Sequence, residues 1–233
     1  SAGIDRLTHQ PLSFSVSETT EGVHIHIIDA ELMGKGEKEK KDLYIEGVQN
    51  NGIINHYEYI INSEGTIEIR HVLKPEGKMP LWFPRIGLTL TVSDALDQVK
   101  WYGRGPQENY PDRKTGYPTG IYASTVQAMY EPYLMPQDYG LRTDVRWLQL
   151  TTDKGIGLQF KMNEWFNFNI YPYSTDNLTK AMYTYQLQKQ KGMTLNLDYA
   201  TTGVGCTARG VFGAYKAMPQ EYRRTISIRP MMK

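Results

Sequence analysis

The sequence carries a single cysteine, Cys206, among its 233 residues. One thiol excludes an intrachain disulfide and a thiolate-rich metal cluster, so stability must come from packing and hydrogen bonding. Charge of neither sign is in excess, because 26 Lys and Arg stand against 25 Asp and Glu. A formal net charge of +1 supplies no field that would draw nucleic acid or an anionic membrane, and a neutral ligand fits better. No apolar run approaches the roughly 20 residues that cross a bilayer, and no basic segment followed by an apolar one opens the chain. A soluble chain is expected, with cytoplasm and periplasm both open. Phenylalanine is scarce as well, with 6 Phe beside 17 Tyr and 4 Trp. Tyr and Trp have an apolar face and a polar edge, which suits half-exposed strands and also suits stacking on a sugar ring.

Long helical periodicity, internal repeats and a dividing linker are likewise missing. What remains is alternation with period two, over residues 12–16, 23–28, 43–46, 56–61, 66–72 and 85–93. Asn51-Gly52 and Glu64-Gly65 supply turn chemistry between these runs, and Pro75-Glu76-Gly77-Lys78 reads as another turn. Residues 34–42 form a mixed-charge tract with no apolar residue, expected as a solvated loop. Further strands are expected at 142–150, 155–161, 165–171, 193–199 and 222–228. Residues 122–129 are helix-compatible, and Ser174 caps a second short helix over 175–181. The expectation is an all-β, antiparallel domain over 1–233 with at most one or two short helices.

One stretch concentrates chemistry. Residues 101–113 read Trp-Tyr-Gly-Arg-Gly-Pro-Gln-Glu-Asn-Tyr-Pro-Asp-Arg, a strand that breaks into a loop crowded with charged and aromatic side chains. Glycoside hydrolysis needs two carboxyl groups in one site, and Glu108 and Asp112 are the densest local pair. Arg104 and Arg113 flank them, however, and an ion-pair and hydrogen-bond brace uses the same residue types. His24 and His26 lie two apart and share one strand face, yet no third metal ligand is spaced nearby, so they read as polar residues of a solvent face. Residues 203–210, Gly-Val-Gly-Cys-Thr-Ala-Arg-Gly, lack the context of a phosphate loop and read as a turn where backbones approach closely.

The run from Gly105 to Arg113 closely resembles a signature of the C-terminal domain of bacterial β-galactosidases of glycoside hydrolase family two. The resemblance extends in order through Pro84-Arg85-Ile86-Gly87-Leu88, Tyr130-Glu131-Pro132-Tyr133, Pro136-Gln137, Gly140-Leu141-Arg142, Pro172-Tyr173-Ser174 and Gly203-Val204-Gly205. It implies an antiparallel supersandwich like that of galactose mutarotase, placed after a TIM-barrel catalytic domain. It further implies that the catalytic glutamates and the magnesium ligands lie in that barrel, of which this chain holds no pattern. No catalytic residue, cofactor or metal ligand is therefore expected here, and the chain is expected to be a fragment lacking the family's first strands. Lactose-hydrolysing members reach the substrate with a Trp in the loop after the Gly-Val-Gly turn. In this sequence Arg209 takes that place, and it is the carbohydrate-binding candidate.

The expected function is thus a wall of the galactoside site of a β-galactosidase. Arg104, Glu108, Asn109, Asp112 and Arg113 would brace the signature loop. The expected partners are a galactoside, the catalytic barrel and, in the full-length enzyme, further copies of itself. The alternatives are a free-standing aldose 1-epimerase, which resembles enzymes that bring a His pair and a Glu together in a concavity, and a carbohydrate-binding module.

Overall fold

The computed structural model describes residues 7–33, 51–206 and 210–232. The charged tract 34–42 and the expected strand 43–46 lie outside them. The chain divides into two compact units, one formed by the residues up to Phe83 with Met218–Ile228, the other chiefly by Pro84–Ala217. Nearly all of the regular structure is antiparallel strand, as the alternation predicts. No helix among the described residues is long and apolar enough to cross a membrane.

In the first unit β1 (Thr8–Thr19), β2 (Gly22–Leu32), β3 (Gly52–Ile61) and β4 (Ile67–Glu76) form an antiparallel meander. The last strand, β11 (Tyr222–Met231), pairs with β4. Asn62 closes the β3–β4 turn, its Oδ1 accepting from the amides of Glu64 and Thr66 at 3.0 Å each, while Gly65 takes the positive φ that the turn requires. β4 runs on through Pro75 and Glu76, where a turn was expected. Proline's fixed φ is compatible with extended backbone, and the chain reverses only at Gly77, φ +77°. Ile69, Leu73, Ile53 and Ile226 are buried together with one polar ring, His71. Its Nε2 lies 3.0 Å from Asn55 Oδ1, and the imidazole stacks on Tyr57 at 4.1 Å. Burial first, then His56, pushes its pKa down from 6.5 to about 4.

The second unit has the strand order β7-β6-β8-β9-β10-β5, built from β5 (Arg85–Val92), β6 (Gln98–Arg104), β7 (Thr119–Thr125), β8 (Arg142–Thr151), β9 (Gly157–Tyr171) and β10 (Met193–Thr201). The two strands expected at 155–161 and 165–171 are one. β9 itself takes up the mismatch: Val145 faces Phe166 while Trp147 faces Lys161, so the surplus residues of β9 bulge without ending it. The helix expected over 122–129 is strand to Thr125 and only then a 3-10 turn, Gln127–Met129, because Ile121, Tyr122 and Thr125 pair along β6. The second expected helix forms as α1 (Thr175–Lys180), with Ser174 Oγ accepting from Asn177 N at 3.1 Å. Trp101, Leu148, Phe160, Phe168, Leu195 and Leu197 are fully buried and form the centre of this unit.

β10 departs from a simple reading. Thr194, Asn196 and Asp198 alternate with Leu195 and Leu197, which by period two marks a solvent face, yet all are buried. The second unit therefore contains a buried polar face, and the candidate site is built on it.

Candidate functional site

The signature loop leaves β6 at Arg104 and returns into β7 at Thr119. Glu108 sits at its hub. The carboxylate accepts from Tyr110 OH at 3.2 Å, Arg113 Nη2 at 2.9 Å, Gly140 N at 2.9 Å and the hydroxyl of Tyr133. Two of these donors belong to the loop 130–141, so one buried anion ties two loops together. Asn109 does the same work without charge: its amide donates to Leu141 O at 2.8 Å, and its Oδ1 accepts from Thr143 N at 3.1 Å and Thr143 Oγ1 at 2.5 Å. Beneath them Arg142 is 3% exposed and lies 5.4 Å from the Trp101 ring centre. Burial lowers its pKa to about 10, against the opposing pull of Glu108 and Glu131.

Arg104 and Asp112 hold other parts of the loop. Arg104 Nε donates to Asp144 at 2.5 Å, and its Nη1 reaches the carbonyls of Lys114 and Tyr117. Burial works against the charge of Asp144, but hydrogen bonds from Lys114 and Arg104 outweigh it and keep the carboxyl below its ordinary value. Asp112 accepts from Val204 N at 3.0 Å and Gly205 N at 2.7 Å, docking the glycine loop onto the signature loop. A Cβ on Gly203 would stand 2.3 Å from Asp112 Cγ, so only glycine permits this approach. The expected brace is thus four devices. Glu108 with Arg113 and Asn109 with Leu141 and Thr143 tie the two loops, while Arg104 with Asp144 and Asp112 with two backbone amides secure other segments.

These loops border a cleft of about 540 Å³ lined by Arg85, Tyr110, Arg113, Tyr133, Asp138 and Val204, among others. Its polar floor is a network that sequence reasoning missed. Arg85 donates from Nη2 to Asp198 Oδ2 at 2.8 Å, from Nη1 to Asp138 Oδ1 at 3.3 Å and from Nη2 to Asn169 Oδ1 at 3.3 Å. Asn169 Nδ2 donates to Asp138 at 2.9 Å, and Asn196 Nδ2 donates to Asn169 Oδ1 at 2.8 Å. Gly87 lets β5 close on β10 here, since a Cβ would meet Leu197 O at 2.3 Å. Asp138 keeps 45% of its side chain exposed, so it is the carboxylate this network offers to a ligand. The signal for these residues lay in Arg85 within the quoted Pro-Arg-Ile-Gly-Leu run and in the alternating Asn and Asp of β9 and β10. A hollow of similar volume beside Asp94, Tyr130 and Lys189 includes no residue of the signature loop and only Met193 of β10. The cleft, by contrast, sets Tyr110 and Arg113 of the loop beside Arg85 and Asp138 of the polar network.

Asp198 is fully buried, and burial pushes its carboxyl up to about 6 against the pull of Arg85. An acid whose pKa is higher when folded contributes stability that is present below its unfolded value, about 3.9, and is lost as pH rises through about 6. His71 has the opposite sign, its contribution being full above about 6.5 and lost as pH falls through about 4. The two oppose each other in one window. Urea midpoints of the chain and of Asp198→Asn, measured between pH 4 and 7, are expected to differ by a gap that varies with pH. In that comparison the variant loses the component that weakens with rising pH, and a constant gap would contradict the assignment.

Residues 9–228 match a family described as "Beta galactosidase small chain". The chain belongs to the β-galactosidase small-chain family. It is 38% identical over 147 residues to a β-galactosidase of Priestia megaterium (strain DSM 319 / IMG 1521), covering 63% of this chain and 14% of that protein. It is 39% identical over 122 residues to one of Vibrio cholerae, covering 52% and 11%. This small-chain sequence therefore spans about a seventh or less of those relatives' lengths. Among solved structures, the GalM/aldose epimerase homologue from C. elegans aligns with 94% of this chain and 69% of its own, at 11% identity and a TM-score of 0.45. Within the small-chain fold, Arg104, Glu108, Asn109, Asp112 and Arg113 are gathered around one loop as described. Arg209 lies outside the described residues.

Proposed function

We propose that this chain is the non-catalytic β-sandwich portion of a β-galactosidase and that its cleft forms one wall of the galactoside site. The match of residues 9–228 to the small-chain family carries the reading. The chemistry of the cleft supports it: Asp138 and Arg85 present hydroxyl-binding groups beside the rings of Tyr110 and Tyr133, the combination that orients a neutral sugar. Glu108 and Asp198 are committed to internal donors, which suits support better than proton transfer. In this reading the catalytic carboxylates and magnesium belong to a separate barrel domain, Arg209 contributes to the sugar wall, and the full-length enzyme assembles as a homo-oligomer.

The epimerase alternative has one observation in its favour, because His24, His26 and Glu58 do converge. Glu58 is a poor base, however. Its burial opposes charge, but Arg70 and His24 hold the carboxyl below its ordinary value. The test is to assay the purified chain with a chromogenic β-galactoside and with α-galactose. No turnover, no faster anomerisation, and weak galactose-induced NMR shifts at the amides of Gln137, Asp138 and Val204 are expected. Turnover by the chain alone, or shifts confined to other residues, would refute the wall; accelerated anomerisation would select the epimerase.

A further inference from the structure

The histidine pair on β2 has a third partner that its own strand does not reveal. His24 and His26 share a face by alternation, and the antiparallel register sets Glu58 of β3 directly opposite His26. One ligating atom from each of the three lies within 4.8 Å of the others. We propose that His24, His26 and Glu58 form a site for one divalent transition-metal ion of the zinc type, with water completing the coordination. This departs from the expectation of no metal in the chain, and it does not depend on the galactosidase reading.

The second coordination layer is already in place. His24 Nε2 lies 3.0 Å from Thr19 Oγ1, and that hydroxyl donates to Gly22 O and accepts from Glu21 N. Thr19 Oγ1 can accept from Nε2–H, and in that tautomer Nδ1 presents a lone pair to an ion. Nδ1 faces Glu58 Oε1 at 3.4 Å. The imidazole proton that otherwise bridges this pair is displaced when an ion takes its place. Ligand bonds of about 2.0–2.2 Å at a tetrahedral zinc place neighbouring ligand atoms roughly 3.3 Å apart, which the pair already matches. Glu58 Oε2 accepts from Arg70 Nη1 at 3.1 Å, which orients the carboxylate and leaves Oε1 for the ion. Two imidazoles and one carboxylate select zinc, nickel or copper over magnesium or calcium, which require mostly oxygen ligands.

The experiment is titration of the untagged chain with zinc chloride by calorimetry, and with cobalt(II) followed by visible absorption. One equivalent is expected, with a cobalt spectrum of tetrahedral nitrogen and oxygen ligation. His24→Ala, His26→Ala and Glu58→Gln are each expected to weaken binding at least about tenfold, while His9→Ala and His56→Ala leave it unchanged. Circular dichroism checks that the variants fold, and Glu58→Gln preserves shape should a histidine variant fail. Absence of saturable binding, affinity unchanged in Glu58→Gln, or thiolate charge-transfer bands pointing to Cys206 would each overturn the site.

Discussion

Glu108→Ala is expected to destabilise the chain by roughly 3–5 kcal/mol, the cost of stranding several buried donors and a nearby buried cation. At about 2–4 °C per kcal/mol for a chain of this size, the melting temperature should fall by roughly 6–20 °C. Glu108 is 7% exposed, and its loss leaves Tyr110 OH, Tyr133 OH and Gly140 N without their acceptor. It also removes a negative charge that supports the buried guanidinium of Arg142. Tyr133→Phe deletes one donor and leaves the anion served, so a much smaller loss is expected from it. Glu108→Gln should fall between, since one acceptor oxygen survives while the new amide brings two donors into a ring of donors. Calorimetry of the three variants decides the matter: a change under about 1 °C for Glu108→Ala would remove the hub from the description of this loop.

Arg85→Ala is the second large effect, because it breaks a buried pair from one side. Asp198, Asp138 and Asn169 all lose the same partner. Leaving a buried carboxylate unpaired costs on the order of 3–5 kcal/mol. Lysine cannot repair this. Arg85 serves three side chains through two nitrogens and Nε, whereas an ammonium group is a point charge on a flexible stem. The pH dependence separates charge from packing. Arg85 lowers the pKa of Asp198, so its removal raises that value further, and the variant's penalty should be greater at pH 8 than at pH 5. A penalty equal at both values would mean that the side chain acts by volume alone.

Much of the fold was legible because its causes are local. Alternation located β1, β2, β3, β4, β5, β8, β10 and β11, and Ser174 marked the start of α1. Errors came where a partner strand decided the outcome. β9 stays whole because β8 pairs with it on both sides of its bulge, and residues 121–125 are strand because β6 lies beside them. The site was legible in part. The crowding of charge in 104–113 marked a loop held by polar contacts, but Asp144, Gly140 and Val204 as its anchors come from segments about 30 to 95 residues away.

The sequence by itself determined the all-β character, the turns at Gly65 and Gly77, and the family, since residue type, spacing and motif are properties of neighbours along the chain. Only the tertiary structure decided that Asn196 and Asp198 face inward, that Arg85 joins Asp138 to Asp198, and that Glu58 completes the histidine pair. The physical reason is that alternation separates two faces of a strand without saying which is covered. Strand register, set by pairing across long loops, brings together side chains that no local pattern relates.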